Sequence, residues 1–472
     1  MNVVLLVIDS LRADRLSLYG YHRPTSPCMD SLGQAGAWFE NFFTVGTPTL
    51  PACTSLLTGQ FPLTHRVLMR KGGGDLCPRA PWLPEILQAH GYTTAAIDNL
   101  ATRKPWFARG FSDYLNLRVR GDEYLSAFEF NRAALPWISA HRKKPFFLYM
   151  RYGDTHTPYA PPAEYRRLFH EHEPWRLRRT LGEMFQSPLR HYMLTQCKPG
   201  EWPSPAGDGV VDVDWCRAQY DAEVRVADDG VAELLAHLRQ LGLAENTAVV
   251  IVGDHGESLG EHDIFFDHHG LYECTIRPPL IMHWPGVTTS SPGPLGTKGE
   301  VRLPASAGRV SAQAQTPDIA ATVLDLLAIP RPPTMEGQSL APLVTGQGAW
   351  RHYAQIVACE STWMFKWAWR KEGYKLIVAR EPDLYGKPPV ELYDLHADPE
   401  ERVNLAEERG DVREEMHREF EGWLSQRLRD IGQTEDPVAR LGRARRCRLH
   451  CRLLRQKFRW MFRCCFEPGR LA

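Results

Sequence analysis

The chain has 472 residues, 43% of them hydrophobic, with 14 Trp and 19 Phe. That supply of large apolar side chains excludes disorder over the whole length, and no apolar run approaches the ~20 residues needed to span a bilayer. The 56 basic and 56 acidic residues cancel, but ten Arg and Lys457 crowd against the single acid Glu467 between Arg440 and Arg470. The body is therefore acidic by ten, and the tail is strongly basic.

Met1-Asn2 leads straight into Val3–Ile8, an apolar run suited to a buried strand and too short for a signal peptide. With no positive n-region, this start leads us to expect a cytoplasmic protein. The eleven Cys have no paired spacing and are expected to be mostly free thiols. Asp9-Ser10 follow the first strand directly. Thr47-Pro48-Thr49-Leu50-Pro51-Ala52 run into a short helix that stops at Thr58-Gly59. Further strands are expected at Thr93–Ile97, Phe146–Tyr152, Ala248–Val252 and Leu280–His283, with a long helix from Trp215 to Leu241. Apolar runs without alternation indicate a parallel sheet covered on both faces. Residues 287–309, rich in Gly, Pro, Ser and Thr, read as a surface loop. From about Trp350 the pattern changes: Trp363–Val378 suggests a hairpin turning at Glu372-Gly373, and a helix follows over Asp411–Leu428. Three units are expected: 1–349, an α+β unit at 350–435, and the tail 436–472.

Chemistry concentrates where strands end, the usual place for sites in open α/β sheets. Asp9, Asp254, His255 and the hydroxyl of Thr49 can together hold one divalent metal ion. The imidazole moves the preference from calcium towards manganese, iron or zinc. Asp9 alone can equally be a helix cap, and Thr49 a capping residue of a Pro-rich loop. Asp267-His268-His269-Gly270, thirteen to sixteen residues after Asp254, is either a solvated loop or part of the same site.

These motifs stand in an order that resembles the sulfatase branch of the alkaline phosphatase superfamily. Asp9-Ser10-Leu11-Arg12-Ala13-Asp14 is similar to its first metal-binding turn. Pro145–Tyr149 with His156-Thr157-Pro158-Tyr159 is similar to its central strand and active-site histidine. Gly253–Glu257 through Arg277–Leu280 resembles its second metal segment, and Glu391–Leu395 its C-terminal signature. The resemblance implies an α/β fold with a mixed, mostly parallel central sheet flanked by helices and a smaller C-terminal α+β subdomain. Sulfatases carry Cys or Ser in C/S-x-P-S-R-x-x-L-L-T-G, oxidised to formylglycine. Anchored on Leu56-Leu57-Thr58-Gly59, that position is Thr49, with Ala52 for the Ser and Cys53 for the Arg. A threonine's Cβ methyl forbids the aldehyde, so the resemblance implies direct nucleophilic attack by Thr49. His156 and His269 would be catalytic; Asn99, His268 and Arg12 would hold the substrate; Ser10 replaces a further family ligand.

The expected activity is hydrolysis of a small phosphate ester, a phosphodiester or a phosphomonoester, through Thr49 as covalent nucleophile. Alternatives are a sulfate-ester hydrolase working without formylglycine, a phosphoryl transferase, and a scaffold that has lost activity. In the tail, Cys447, Cys451, Leu454, Phe458 and Cys465 recur at helical spacing among arginines. That suits an anionic membrane surface, which would make the protein peripheral on the inner face, or packing on an acidic body, its own or that of a second copy in a homo-oligomer. Nucleic acid ranks below both.

Overall fold

Val3–Ile8 is apolar at every position because both faces of its strand are covered. In the computed structural model, which describes residues 1–69, 74–117, 125–170, 178–180, 210–288, 308–444 and 446, β1 (Asn2–Ile8) lies inside an eight-stranded sheet. The other strands are β2 (Ala37–Phe43), β3 (Thr93–Asp98), β4 (Asp113–Asn116), β5 (Phe146–Tyr152), β6 (Thr247–Gly253), β7 (Leu280–His283) and β8 (Arg309–Gln315). Their order is β8-β2-β7-β6-β1-β5-β3-β4. Neighbours pair in parallel except at β7, which is antiparallel to both β6 and β2. The expected fold is therefore present.

Strand alternation assigns the two layers. Val4, Leu6 and Ile8 meet the helices α1 (Pro27–Ala35), α3 (Ala127–His141) and α4 (Val213–Gln240) through Met29, Leu32, Phe130, Tyr220 and Val224. Val3, Leu5 and Val7 meet α2 (Thr49–Thr58) and α5 (Asp318–Leu326) through Leu50, Cys53, Leu56 and Ile319. Helix α4 matches the expected long helix to within two residues at its start and one at its end. Gly59, at φ 65°, closes α2 in the left-handed conformation that glycine adopts without steric cost.

The C-terminal unit is a five-stranded sheet. It contains β9 (Ile356–Glu360), β10 (Lys366–Lys371), β11 (Tyr374–Ala379) and β12 (Val390–Asp394), backed by α6 (Gly410–Asp430). The hairpin between β10 and β11 turns on Glu372 and Gly373, both at positive φ, the geometry a two-residue turn requires. The fifth strand is Gly46–Thr47, which pairs in parallel with β9 just before α2 begins. Six cysteines among the described residues are free. No helix there is long and apolar enough to cross a membrane. Most of the loop at 287–309 and nearly all of the tail from Arg445 onward lie outside the described residues.

Candidate active site

Strand ends at the centre of the sheet build the floor of the site. In register, Ile8 faces Tyr152 on β5 and Gly253 on β6, so Asp9 and Asp254 emerge side by side. Ser10 N–H donates to Asp254 Oδ1 at 3.1 Å, and its carbonyl accepts from Tyr220. In these contacts Ser10 works through its main chain, at a positive φ of 59°. His255 Nδ1 donates to the Gly256 carbonyl at 2.9 Å, which turns Nε2 towards the carboxylates. That nitrogen is 3.8 Å from Asp9 Oδ1 and 3.6 Å from Asp254 Oδ2. Thr49, the first residue of α2, places Oγ1 3.4 Å from both Asp9 Oδ1 and His255 Nε2.

This arrangement fits a divalent cation. Ligand atoms of Asp9, Asp254 and His255 converge within 4.8 Å of one another, and Asp254 Oδ2 is fully buried with no hydrogen-bond partner. A buried carboxylate oxygen left without a donor is costly unless a cation completes it. Burial pushes the Asp254 carboxyl up to about 6, with Asp9 adding to the effect. Burial acts on Asp9 in the same direction, but the charges of Arg151, His156, His255 and Arg103 outweigh it and hold that carboxyl below the ordinary range.

Arg151 was not anticipated. It lies near the end of β5, on the face that carries Phe147 and Tyr149 towards α2. Its guanidinium donates to Asp9 Oδ2 and, from the other terminal nitrogen, to Asn99 Oδ1 at 2.6 Å. The available signal was a charged residue inside the continuous apolar run Phe146–Tyr152, since a buried guanidinium requires a carboxylate partner. Cys53, fully buried on α2, lies in the same region: burial and Asp254 drive its thiol up, while Arg151 opposes them.

Over this floor stand partly exposed groups: Thr49, Asn99, His156 and His268. The His268 ring lies 4.7 Å from that of His255 and 5.9 Å from that of His156. His156 Nδ1 is engaged by the Thr157 carbonyl at 2.6 Å. Two expectations change. His269 is buried, with Nδ1 2.5 Å from Glu360 Oε1 and Nε2 3.3 Å from Asp267 Oδ1. It supports the His268 loop from behind, and His268 faces the site. Arg12 is turned away: its guanidinium binds Asp14, Glu261 and the Glu257 carbonyl, 4% exposed. It lines a separate cavity of about 730 Å³ that also includes Tyr19, Trp38 and Arg277. A spacing argument could not have separated adjacent histidines, because their faces depend on the β9 contact through Glu360.

Comparison with known proteins shows the family and the fold. A family model described as Sulfatase matches residues 1–329, and one described as N-sulphoglucosamine sulphohydrolase, C-terminal, matches residues 260–426. The multifunctional alkaline phosphatase superfamily protein PehA of Trinickia caryophylli is 25% identical, over 86% of this chain and 91% of its own. The N-acetylglucosamine-6-O-sulfatase of Bacteroides thetaiotaomicron is 24% identical, over 86% of this chain and 82% of its own. Among solved structures, the phosphonate monoester hydrolase of Agrobacterium radiobacter superposes with a TM-score of 0.70 at 20% identity, covering 90% of this chain and 96% of that one.

Proposed function

The chain belongs to the sulfatase family, and we propose that it is a metal-dependent hydrolase of singly charged sulfuric or phosphoric esters with Thr49 as the direct nucleophile. The observation that carries this reading is the position of Thr49 Oγ1, 3.4 Å from Asp9 and from His255 at the start of α2. Asp9, Asp254, His255 and Thr49 would hold the cation. Once bound, it supplies Lewis acidity that lowers the hydroxyl's pKa and screens the ester's negative oxygens.

The chain's own groups do the rest. Thr49 Oγ1, its proton released along the hydrogen bond to Asp9 Oδ1, attacks sulfur or phosphorus, and the bond to the leaving oxygen breaks. The leaving alcohol takes a proton from Nε2 of the His156 imidazolium, which the proton released by Thr49 replaces. The amide of Asn99, the ring of His268 and the first N–H groups of α2 hold the non-bridging oxygens. Water then attacks the transferred group on Thr49 and restores the hydroxyl. With a neutral amide at Asn99, the substrate side carries few fixed positive charges, which suits a monoanion better than a dianionic phosphomonoester.

A sulfate monoester and a phosphodiester both carry one charge. The names of the relatives, N-acetylglucosamine-6-O-sulfatase among them, favour the sulfate ester as first reading. The phosphodiester is second, favoured because a Thr ester has no geminal hydroxyl to expel sulfate and depends on attack at the transferred group. Mn²⁺-loaded protein assayed on p-nitrophenyl sulfate, bis-p-nitrophenyl phosphate, p-nitrophenyl phenylphosphonate and p-nitrophenyl phosphate tests both. Turnover of a monoanionic ester, lost in Thr49→Ala, is the expected result. Preference for the dianionic monophosphate, or turnover that survives Thr49→Ala, would overturn the reading.

A further inference from the structure

We propose that Arg151, acting from β5, is the positioning residue that makes a two-carboxylate cation site receptive to an anionic ester, the motif position on α2 being occupied by Cys53. The inference rests on the site reading above and adds the residue that sets its charge and orients its amide.

Three observations support it. First, Arg151 is buried, yet both terminal nitrogens of its guanidinium are used, one on Asp9 Oδ2 and one on Asn99 Oδ1. A guanidinium only donates. Asn99 must therefore turn its carbonyl oxygen inward, which presents its NH₂ donors to the pocket. The same contact occupies one oxygen of Asp9 and leaves Oδ1 facing Thr49 and His255. One planar fork thus fixes a cation ligand and an anion donor in a single geometry.

Second, the charges balance in a particular way. Asp9, Asp254 and the neighbouring Asp98 bring three negative charges, which a divalent cation and the buried Arg151 together cancel, so that without Arg151 the floor would repel a monoanion. Arg103 also lies in range of Asp9, but it is exposed and its field is screened by solvent. Asp98 faces Arg151 as well, with its carboxylate accepting from the Tyr114 hydroxyl and Leu100 N–H. Third, Tyr149 and Cys53 share the buried cluster between β5 and α2, and Arg151 follows Tyr149 on the same face of β5, within electrostatic range of Cys53. A guanidinium reaching from the sheet thus lies next to the residue that takes the motif arginine's place on the helix.

The role makes an asymmetric prediction. Removing Arg151 takes a positive charge away from the cation site and an oriented donor pair away from the anion site. Calorimetric titration of Arg151→Met with Mn²⁺, and then of the Mn²⁺-loaded protein with sulfate, separates the two effects. Expected is Mn²⁺ affinity equal to or tighter than in the parent, with sulfate affinity weaker by about 10- to 100-fold. Cys53→Arg combined with Arg151→Ala should recover part of the sulfate affinity. Where Arg151→Met does not fold, Arg151→Lys keeps charge and bulk but loses the fork, and the same split is expected on a smaller scale. Parallel weakening of Mn²⁺ and sulfate would show a merely structural role and overturn the proposal, as would unchanged sulfate affinity. A parent protein that binds Mn²⁺ but neither sulfate nor phosphate would instead remove the functional reading on which it rests.

Discussion

Thr49 stands where three influences meet: the Asp9 carboxylate, the His255 ring nitrogen and the N-terminus of α2. None of them alone makes a threonine hydroxyl a nucleophile. Under the proposed mechanism, these influences together with a cation would lower its pKa and hold it beside the bound ester. Replacing Thr49 by Ala removes the proposed attacking atom and leaves Asp9, Asp254 and His255 in place. Steady-state assays should show kcat lower by roughly 10³-fold or more, with Mn²⁺ affinity changed far less. Much of this floor was legible in the sequence, because Asp9, Asp254 and His255 directly follow apolar runs that had to be central strands. Arg151 escaped because it sits within such a run, and Arg12 misled because the first turn carries its side chain away from the strand ends. Cation binding itself has a thermodynamic readout. Saturating Mn²⁺ at about 100 times its Kd should stabilise the folded protein by about 2.7 kcal/mol, visible as a raised Tm that Asp254→Asn abolishes.

Elements that carry the site are held by contacts remote in sequence. Strand β9 pairs with Gly46–Thr47, one residue short of Thr49, and its last residue, Glu360, accepts from the Gly270 N–H and lies against the His269 ring. The C-terminal sheet thus supports both Thr49 and the His268 loop. Its own stability depends on α6, whose Phe420 is fully buried against Trp367, Trp369 and Trp423. Phe420→Ala should cost about 3–5 kcal/mol, read by denaturant unfolding, and should lower activity through the loss of β9 support. The long parallel strands were readable since nothing on either face dilutes their apolar pattern. Strand β2 was not, because Glu40 and Asn41 interrupt it where it approaches the exposed end of β8. The two-residue strand at Gly46–Thr47 is too short to carry any periodicity.

At the scale of the whole molecule, buried acids set the response to pH. Asp154 and Glu223 lie together under the His156 loop, and burial pushes Asp154 up to about 7 and Glu223 well above its usual range. Two adjacent buried carboxyls resist ionising together. Burial also raises Asp228 and Asp318 to about 7. A carboxyl whose folded-state pKa is raised contributes stability that is complete below its unfolded value near 4 and is lost as pH rises through about 7. Metal-free protein should therefore lose stability between about pH 4 and about pH 7. Asp154→Asn should reduce that slope, with a gain over the parent of roughly 2–4 kcal/mol at the alkaline end. Urea unfolding at a series of pH values measures both; a slope that Asp154→Asn leaves untouched would assign the effect elsewhere.

Covalent catalysis by Thr49 is tested most directly by quenching a single turnover and mapping the transferred group by peptide mass spectrometry. A sulfuryl or phosphoryl group is expected on the peptide carrying Thr49, absent from Thr49→Ala, with accurate mass identifying which of the two it is. Turnover at full rate with no adduct on that peptide at any quench time would contradict the assignment of Thr49 as nucleophile.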